Sequence, residues 1–236
     1  MAKGPEKHYR LGPSSASRWL KCPYSINPDH PPLPDSSHPS AALGTSVHAL
    51  AHGLIEGEPI PCEVADNVRR DANLYASHVL ANEPDEILVE KQWVSEVIPD
   101  FGGTSDITMF KTVYDGQSMP VQQCAIYDYK NGKWEVVADK NPQIMCYAVL
   151  ILEAYPALEE FYGVIVQPNS RDGQKIKPVA EYTLPQLDEH RDRIMWASDN
   201  PEHVQVGEHC RFCRVRQVKG LCPAGEKHAK KQPRWT

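Results

Sequence analysis

An α/β domain with a mixed central sheet is predicted by three features of this 236-residue sequence. Segments with helical apolar spacing come first, and three strand-like segments joined by turns follow them. After the third strand the period returns to that of a helix, with further strand-like segments beyond it. A hydrophobic content of 41% and a charged content of 24% suit a globular core, and the length suffices for one large domain, so a single domain spanning 1–236 is expected.

The elements follow in order. In PSSASRWLKCPYSI the serines offer amino-terminal caps for a short helix carrying Trp19 and Leu20, with Cys22 at its end. The proline-rich loop PDHPPLPDSSHPS comes next. A helix over 41–55 sets Val47, Leu50 and Leu54 at i, i+3 and i+7, with His48 beside that stripe. A second helix, over about 63–82, carries Val64, Val68, Tyr75 and Val79. The strands EILVEKQWVS, GTSDITMFK and QQCAIYDYK are separated by the turns PDFGG and YDGQSMP, as in a meander. In NPQIMCYAVLILEAY one helix face gathers Ile144, Tyr147, Ala148, Ile151 and Leu152. FYGVIVQP and VAEYTL are two further strands, and a last helix covers about 185–197.

The chemistry concentrates at the third strand. Residues i and i+2 of a strand share a face, so Asp128 and Lys130 are neighbours by construction. Alone, a D-x-K is a strand-end salt bridge. Asp106 on the preceding strand changes that, because paired strands lie about 4.8 Å apart and two carboxylates can share one cation if both face the same side. Hard oxygen ligands suit Mg²⁺ or Mn²⁺, and Lys130 would then orient or help deprotonate a water, or neutralise a phosphate. The net charge of -6 argues against a passive, nonspecific DNA coat, while the segment from His209 to Arg234 is locally basic, including a tail over 224–236. No apolar run reaches the roughly 18 residues a membrane helix requires, and no apolar leader follows the amino terminus, so an intracellular, cytoplasmic protein is expected.

Gly103 to Asp106 as G-x-x-D and Asp128 to Lys130 as D-Y-K together resemble the PD-(D/E)xK nuclease superfamily, in particular its RecB-like branch. That branch adds a helical histidine upstream and a Q-x-x-x-Y on the helix after the D-x-K strand; here these are His48 in GTSVHAL, and Gln143 with Tyr147. The resemblance spans Cys22 to Cys222 and implies a restriction-endonuclease-like core. It also implies a metal held by His48, Asp106 and Asp128, and a minor acidic contributor on the first strand, for which Glu90 is the candidate. The implied activity is a metal-dependent deoxyribonuclease, an exonuclease of recombination or DNA-end processing, phage-encoded and acting in the host cytoplasm. DNA is the implied substrate. A recombinase or helicase would be its partner, since no G-x4-G-K-[ST] motif occurs in the chain. Two other functions compete: a catalytically silent DNA-binding scaffold of the same fold, and an iron-sulfur redox protein. The redox reading leaves the carboxylate-lysine set unexplained.

Seven cysteines without a secretory leader point to metal, redox or packing roles. Cys210, Cys213 and Cys222 form a C-x2-C-x8-C run, and with Cys22 they make four thiolates, the ligand set of tetrahedral zinc or of a [4Fe-4S] cluster. One early ligand with three late ones is similar to the iron-sulfur clasp of RecB-like nucleases of the AddB and CRISPR-associated kinds, which favours the cluster over zinc. Cys62, Cys124 and Cys146 are assigned to the core. His52 and His78 are assigned to the surface or to packing.

Overall fold

The computed structural model describes residues 9–34, 39–114 and 119–225. Parts of the proline-rich loop and of the YDGQSMP turn, and the basic tail beyond 225, lie outside the described residues. A five-stranded mixed sheet runs in the order β1 (Glu86–Val94), β2 (Gly102–Val113), β3 (Val121–Tyr129), β4 (Glu160–Val166) and β5 (Ala180–Tyr182). All neighbours are antiparallel except β3 and β4, whose parallel pairing requires the crossover helix α4 (Pro142–Ala154). Among the described residues no helix is long and apolar enough to cross a membrane.

Helices cover both faces of the sheet, and each face closes its own core. On one side α2 (Pro39–Ile55) and α3 (Asp66–Leu80) bring Val47, Ala51, Val68, Tyr75 and Val79 against Ile107, Met109, Tyr127 and Val164. On the other, α4 and α5 (Leu184–Asp199) pack Ile144, Ile151, Leu187 and Ile194 against Cys124, Ile126, Phe161 and Ile165. The helix starts have local causes. Asn141 accepts hydrogen bonds from the Gln143 and Ile144 N–H groups at the head of α4, and Thr183 with Gln186 closes a capping box on α5.

The amino-terminal segment lies on the α4 side and anchors there through Trp19, which is wholly buried and donates from Nε1 to Gly12 O at 2.9 Å. The short helix α1 (Ala16–Trp19) is where the sequence predicts it, but no serine side chain caps it; Ser15 Oγ donates to Gly12 O instead. Helix α3 is also shorter than its apolar spacing suggests, because Glu63 to Ala65 belong to the preceding turn. Cys124 and Cys146 are buried as expected, but Cys62 is exposed: it lies in the connection between α2 and α3, where no sheet covers it.

Candidate active site and a four-cysteine pocket

Regular alternation would point Asp106 and Ile107 to opposite faces, and the strands break that rule together. On β1, Ile87 and Val89 face α2 and α3, yet Trp93, which should share their side, packs with the α4 core. On β2, Ser105 Oγ meets Thr108 Oγ1 at 2.9 Å, although residues three apart on a regular strand face opposite ways. Trp93 Nε1 donates to the same Ser105 Oγ at 2.9 Å, so the two face switches are tied to each other. Glu90 takes up the switch on β1 with a φ of 43°. The register continued through Glu90 sets it opposite Asp106, which is turned toward α2.

The ladder between β2 and β3 stops at Ile107 and Tyr127. Beyond it, Asp106 Oδ2 accepts the Tyr129 N–H at 2.9 Å, so a carboxylate replaces the missing backbone partner. Asp128 stays on the α4 side. Lys130 Nζ lies 3.1 Å from Asp128 Oδ1 and 2.8 Å from Oδ2. Gln143, in the first turn of α4, closes a triangle: its Nε2 donates to Asp128 Oδ1 at 2.8 Å and its Oε1 accepts from Lys130 Nζ at 2.8 Å. Tyr147, one turn further, donates its hydroxyl to Thr104 O at 2.5 Å and so ties α4 to β2 just ahead of Asp106. Glu90, Asp106 and Asp128 thus occupy three adjacent strands, with Lys130, Gln143 and Tyr147 behind them.

His48 sits on α2 with Nε2 3.6 Å from Asp106 Oδ2, packed edge-on against Tyr129 at a ring separation of 5.4 Å. Burial lowers its pKa, against the pull of Asp128 and Glu90, which favours the neutral, lone-pair-bearing ring. Burial and then the charge of Asp128 push the Asp106 carboxyl well above its ordinary range. For Lys130, burial is the largest influence and works against the charge, but the charge and hydrogen bond of Asp128 together with the charge of Asp106 overcome it, and the amine is held above its ordinary value. Lys130 is therefore an ammonium as it stands.

Two further residues belong here. His52, assigned from sequence to surface or packing, lies one turn after His48 with Nδ1 3.7 Å from Glu90 Oε1. Its i, i+4 spacing from His48 was the available signal. Asp71 is buried on α3 and receives the Tyr129 hydroxyl and Asn169 Nδ2, each at 3.4 Å, besides its ion pair with Arg70 at 2.8 Å. Its sign in the sequence was a carboxylate on the apolar stripe of Val68 and Tyr75. Among the described residues, no three His, Cys, Asp or Glu side chains already stand in metal-ligand geometry; the acids are engaged by Lys130, Gln143 and the Tyr129 N–H.

The second gathering is of thiols. Cys22, Cys210, Cys213 and Cys222, all free, line one small pocket between the amino- and carboxyl-terminal segments. Burial pushes the Cys22 thiol up, partly countered by hydrogen bonds from the Gln205 and Ser25 backbone N–H groups. Arg18 lies close enough to Cys213 and Cys22 for their charge to oppose the lowering of its pKa by burial. Hydrogen bonds close the same junction: Tyr24 N donates to His203 O at 3.0 Å, Tyr24 OH to Leu221 O at 3.1 Å, and Arg214 Nη2 to Leu33 O at 2.9 Å.

A family model described as "Protein of unknown function (DUF2800)" matches residues 8–75 and 62–234. Among solved structures, the crystal structure of SSO0001 is similar at a TM-score of 0.36 and 10% identity, over 94% of this chain and 89% of that one.

Proposed function

The chain belongs to the DUF2800 family, and we propose that it is a DNA nuclease dependent on Mg²⁺ or Mn²⁺, with a restriction-endonuclease-like core of the RecB-like kind. The observation that carries this reading is the row of Glu90, Asp106 and Asp128 on three adjacent strands with the Lys130 ammonium beside it. With Asp106 ionised on cation binding, the three carboxylates would exceed the Lys130 ammonium beside a neutral His48 by two negative charges, which a divalent cation matches. Asp128 Oδ2 fits the same account: it is buried without a hydrogen bond among the described residues, though it forms an ion pair with Lys130 at 2.8 Å. His48, Asp106 and Asp128 would hold the cation, with Glu90 contributing from the edge. When bound, such a cation supplies an activated water and offsets charge growing on phosphorus.

The chain's own groups do the rest. Gln143 bridges the Lys130 ammonium and the Asp128 carboxylate, which restrains the lysine toward the site. With its proton retained, Lys130 serves to neutralise a phosphate oxygen and orient a water, not to act as the first base. Asp71, through the Tyr129 hydroxyl, positions the strand end that carries Asp128 and Lys130.

The four cysteines fit a [4Fe-4S] clasp. Arg18 lies near Cys22 and Cys213 and would favour ionised sulfur there, against the burial that pushes the Cys22 thiol up. Zinc on the same four thiolates is the alternative. Exonuclease action at DNA ends in recombination, with a helicase or recombinase partner, is the biological setting this reading implies.

End-labelled linear DNA incubated with purified protein should be cut in the presence of Mn²⁺ and spared in EDTA. Asp106→Ala and Asp128→Ala should each reduce cutting by more than the ~100-fold typical of losing an outer-shell partner, with the circular dichroism spectrum unchanged. Full activity in either variant would remove the assignment. DNA binding without any cutting by the wild type would assign the chain to a silent DNA-binding module instead.

A further inference from the structure

The loop over 131–141 joins Lys130 to Gln143, and it carries Trp134, which is 68% exposed. An exposed indole on a loose loop would be unremarked surface, but this loop is held from below. Gln167 is fully buried, and its side chain spends every polar group on the loop: Nε2 donates to Gly132 O and Trp134 O, each at 2.7 Å, and Oε1 accepts from Val136 N at 3.0 Å. Asn169 Nδ2 donates to Asn131 Oδ1 at 3.1 Å, and Arg171 N donates to Lys133 O at 3.1 Å. The Arg171 guanidinium stacks over the Trp134 ring at 4.2 Å. The result is a fixed, solvent-facing aromatic surface with cationic neighbours. At four residues from Lys130, its Cα lies within about 14 Å of the Lys130 Cα, by the reach of an extended chain.

We infer that Trp134, backed by Arg171, is a stacking platform for an unpaired base of the DNA strand and gives the protein a preference for single-stranded ends. A duplex buries both faces of every internal base and leaves open only the outer face of its terminal pair, so an unpaired strand offers the indole many more faces than a blunt duplex does. Every base has such a face, so the contact carries no sequence preference. The guanidinium and the Lys133 ammonium then serve the adjoining phosphates. This inference rests on the nuclease reading for its substrate, but not for its test.

Binding is measured in EDTA, where the metal-dependent reaction is silent, using a fluorescein-labelled single-stranded oligonucleotide, a strand of the same length made of abasic sites, and a blunt hairpin duplex. Loss of one stacked base should weaken Trp134→Ala about 10-fold toward the ordinary single strand, leave its affinity for the abasic strand unchanged, and alter hairpin binding by less than about 2-fold. Trp134→Phe should recover most of the loss, because it keeps an aromatic face. The indole fluorescence of the wild type should be quenched by the ordinary strand but not by the abasic one. Equal weakening toward all three probes would overturn the inference and make Trp134 a loop brace, as would unchanged binding in Trp134→Ala. The nuclease reading stands or falls separately on cutting in Mn²⁺.

Discussion

The acidic centre and the cysteine pocket both gather residues remote in sequence, but by opposite means and with opposite effects on the fold. The acids sit on neighbouring strands where the β2–β3 ladder ends, and what holds them is the Tyr129 N–H, Lys130 and Gln143. The thiols come from nearly the two ends of the chain and meet only because the terminal segments dock beside each other. Like charges crowd the first site, so the folded protein is strained by the groups it would use. The second site, once filled, closes most of the chain into a loop and stabilises what it joins. On the proposed reading, reactive function and cross-linking would thus be kept in separate places.

The largest effect should come from cutting the clasp. Cys22→Ala, purified without oxygen, should lose the roughly four iron atoms per chain expected of a [4Fe-4S] site, and its unfolding free energy in urea should drop by about 5 kcal/mol on the loop-closure estimate. The remaining junction bonds of Tyr24 and Arg214 should keep the acidic centre in its native arrangement. A variant with full iron content would show that Cys22 is no ligand, and stoichiometric zinc in colourless wild-type protein would replace the cluster by a zinc clasp.

Next comes the lysine. Lys130→Ala should lower kcat by about 100-fold, a magnitude usual for a positioned charge at a reacting oxygen, while the dissociation constant for DNA in EDTA moves far less. Equal losses in both would make Lys130 a simple phosphate anchor and erase the contrast between a chemical site and a binding surface.

The smallest effect has the opposite sign. Asp106 has a folded pKa raised above its unfolded value by burial and by Asp128. Its neutral form is therefore the one the fold favours. The stability this provides is present below the unfolded aspartate pKa and lost as pH rises through the raised folded value. Metal-free Asp106→Asn, neutral at every pH, should melt about 2–4 °C higher than the wild type near pH 8, which for a chain of this size is roughly 1 kcal/mol. That gap should narrow toward pH 4. A melting temperature below that of the wild type at pH 8 would show that the Tyr129 N–H bond outweighs the strain.

Much of the architecture was legible in the sequence because periodicity reports local geometry. The order of the strands and the crossover helix over NPQIMCYAVLILEAY are short-range features and appear where predicted, whereas the serine cap expected ahead of Trp19 does not form and the caps by Asn141 and Thr183 went unread. The pairing of Asp128 with Lys130 follows from their shared strand face, while the approach of His48 to Asp106 was implied only by the resemblance. Cys62 was misassigned because burial depends on which elements cover a residue, and spacing says nothing of that. His52 and Asp71 were missed as members of the site for a related reason: their partners, Glu90 and Tyr129, lie on strands distant in the chain.

By itself the sequence determined which chemical groups exist and in which elements they lie: carboxylates on three successive strands, an amine two residues from the last of them, and thiols near both ends. Tertiary structure alone decided which way those groups point. The face switch shared by Glu90 and Ser105–Thr108 reverses the strict alternation that side-chain patterns assume, because a backbone dihedral and a cross-strand hydrogen bond set it. In the same way, Gln167 fixes the loop of Trp134 from a strand end far along the chain, through hydrogen bonds to backbone carbonyls that every residue type possesses and no sequence pattern distinguishes.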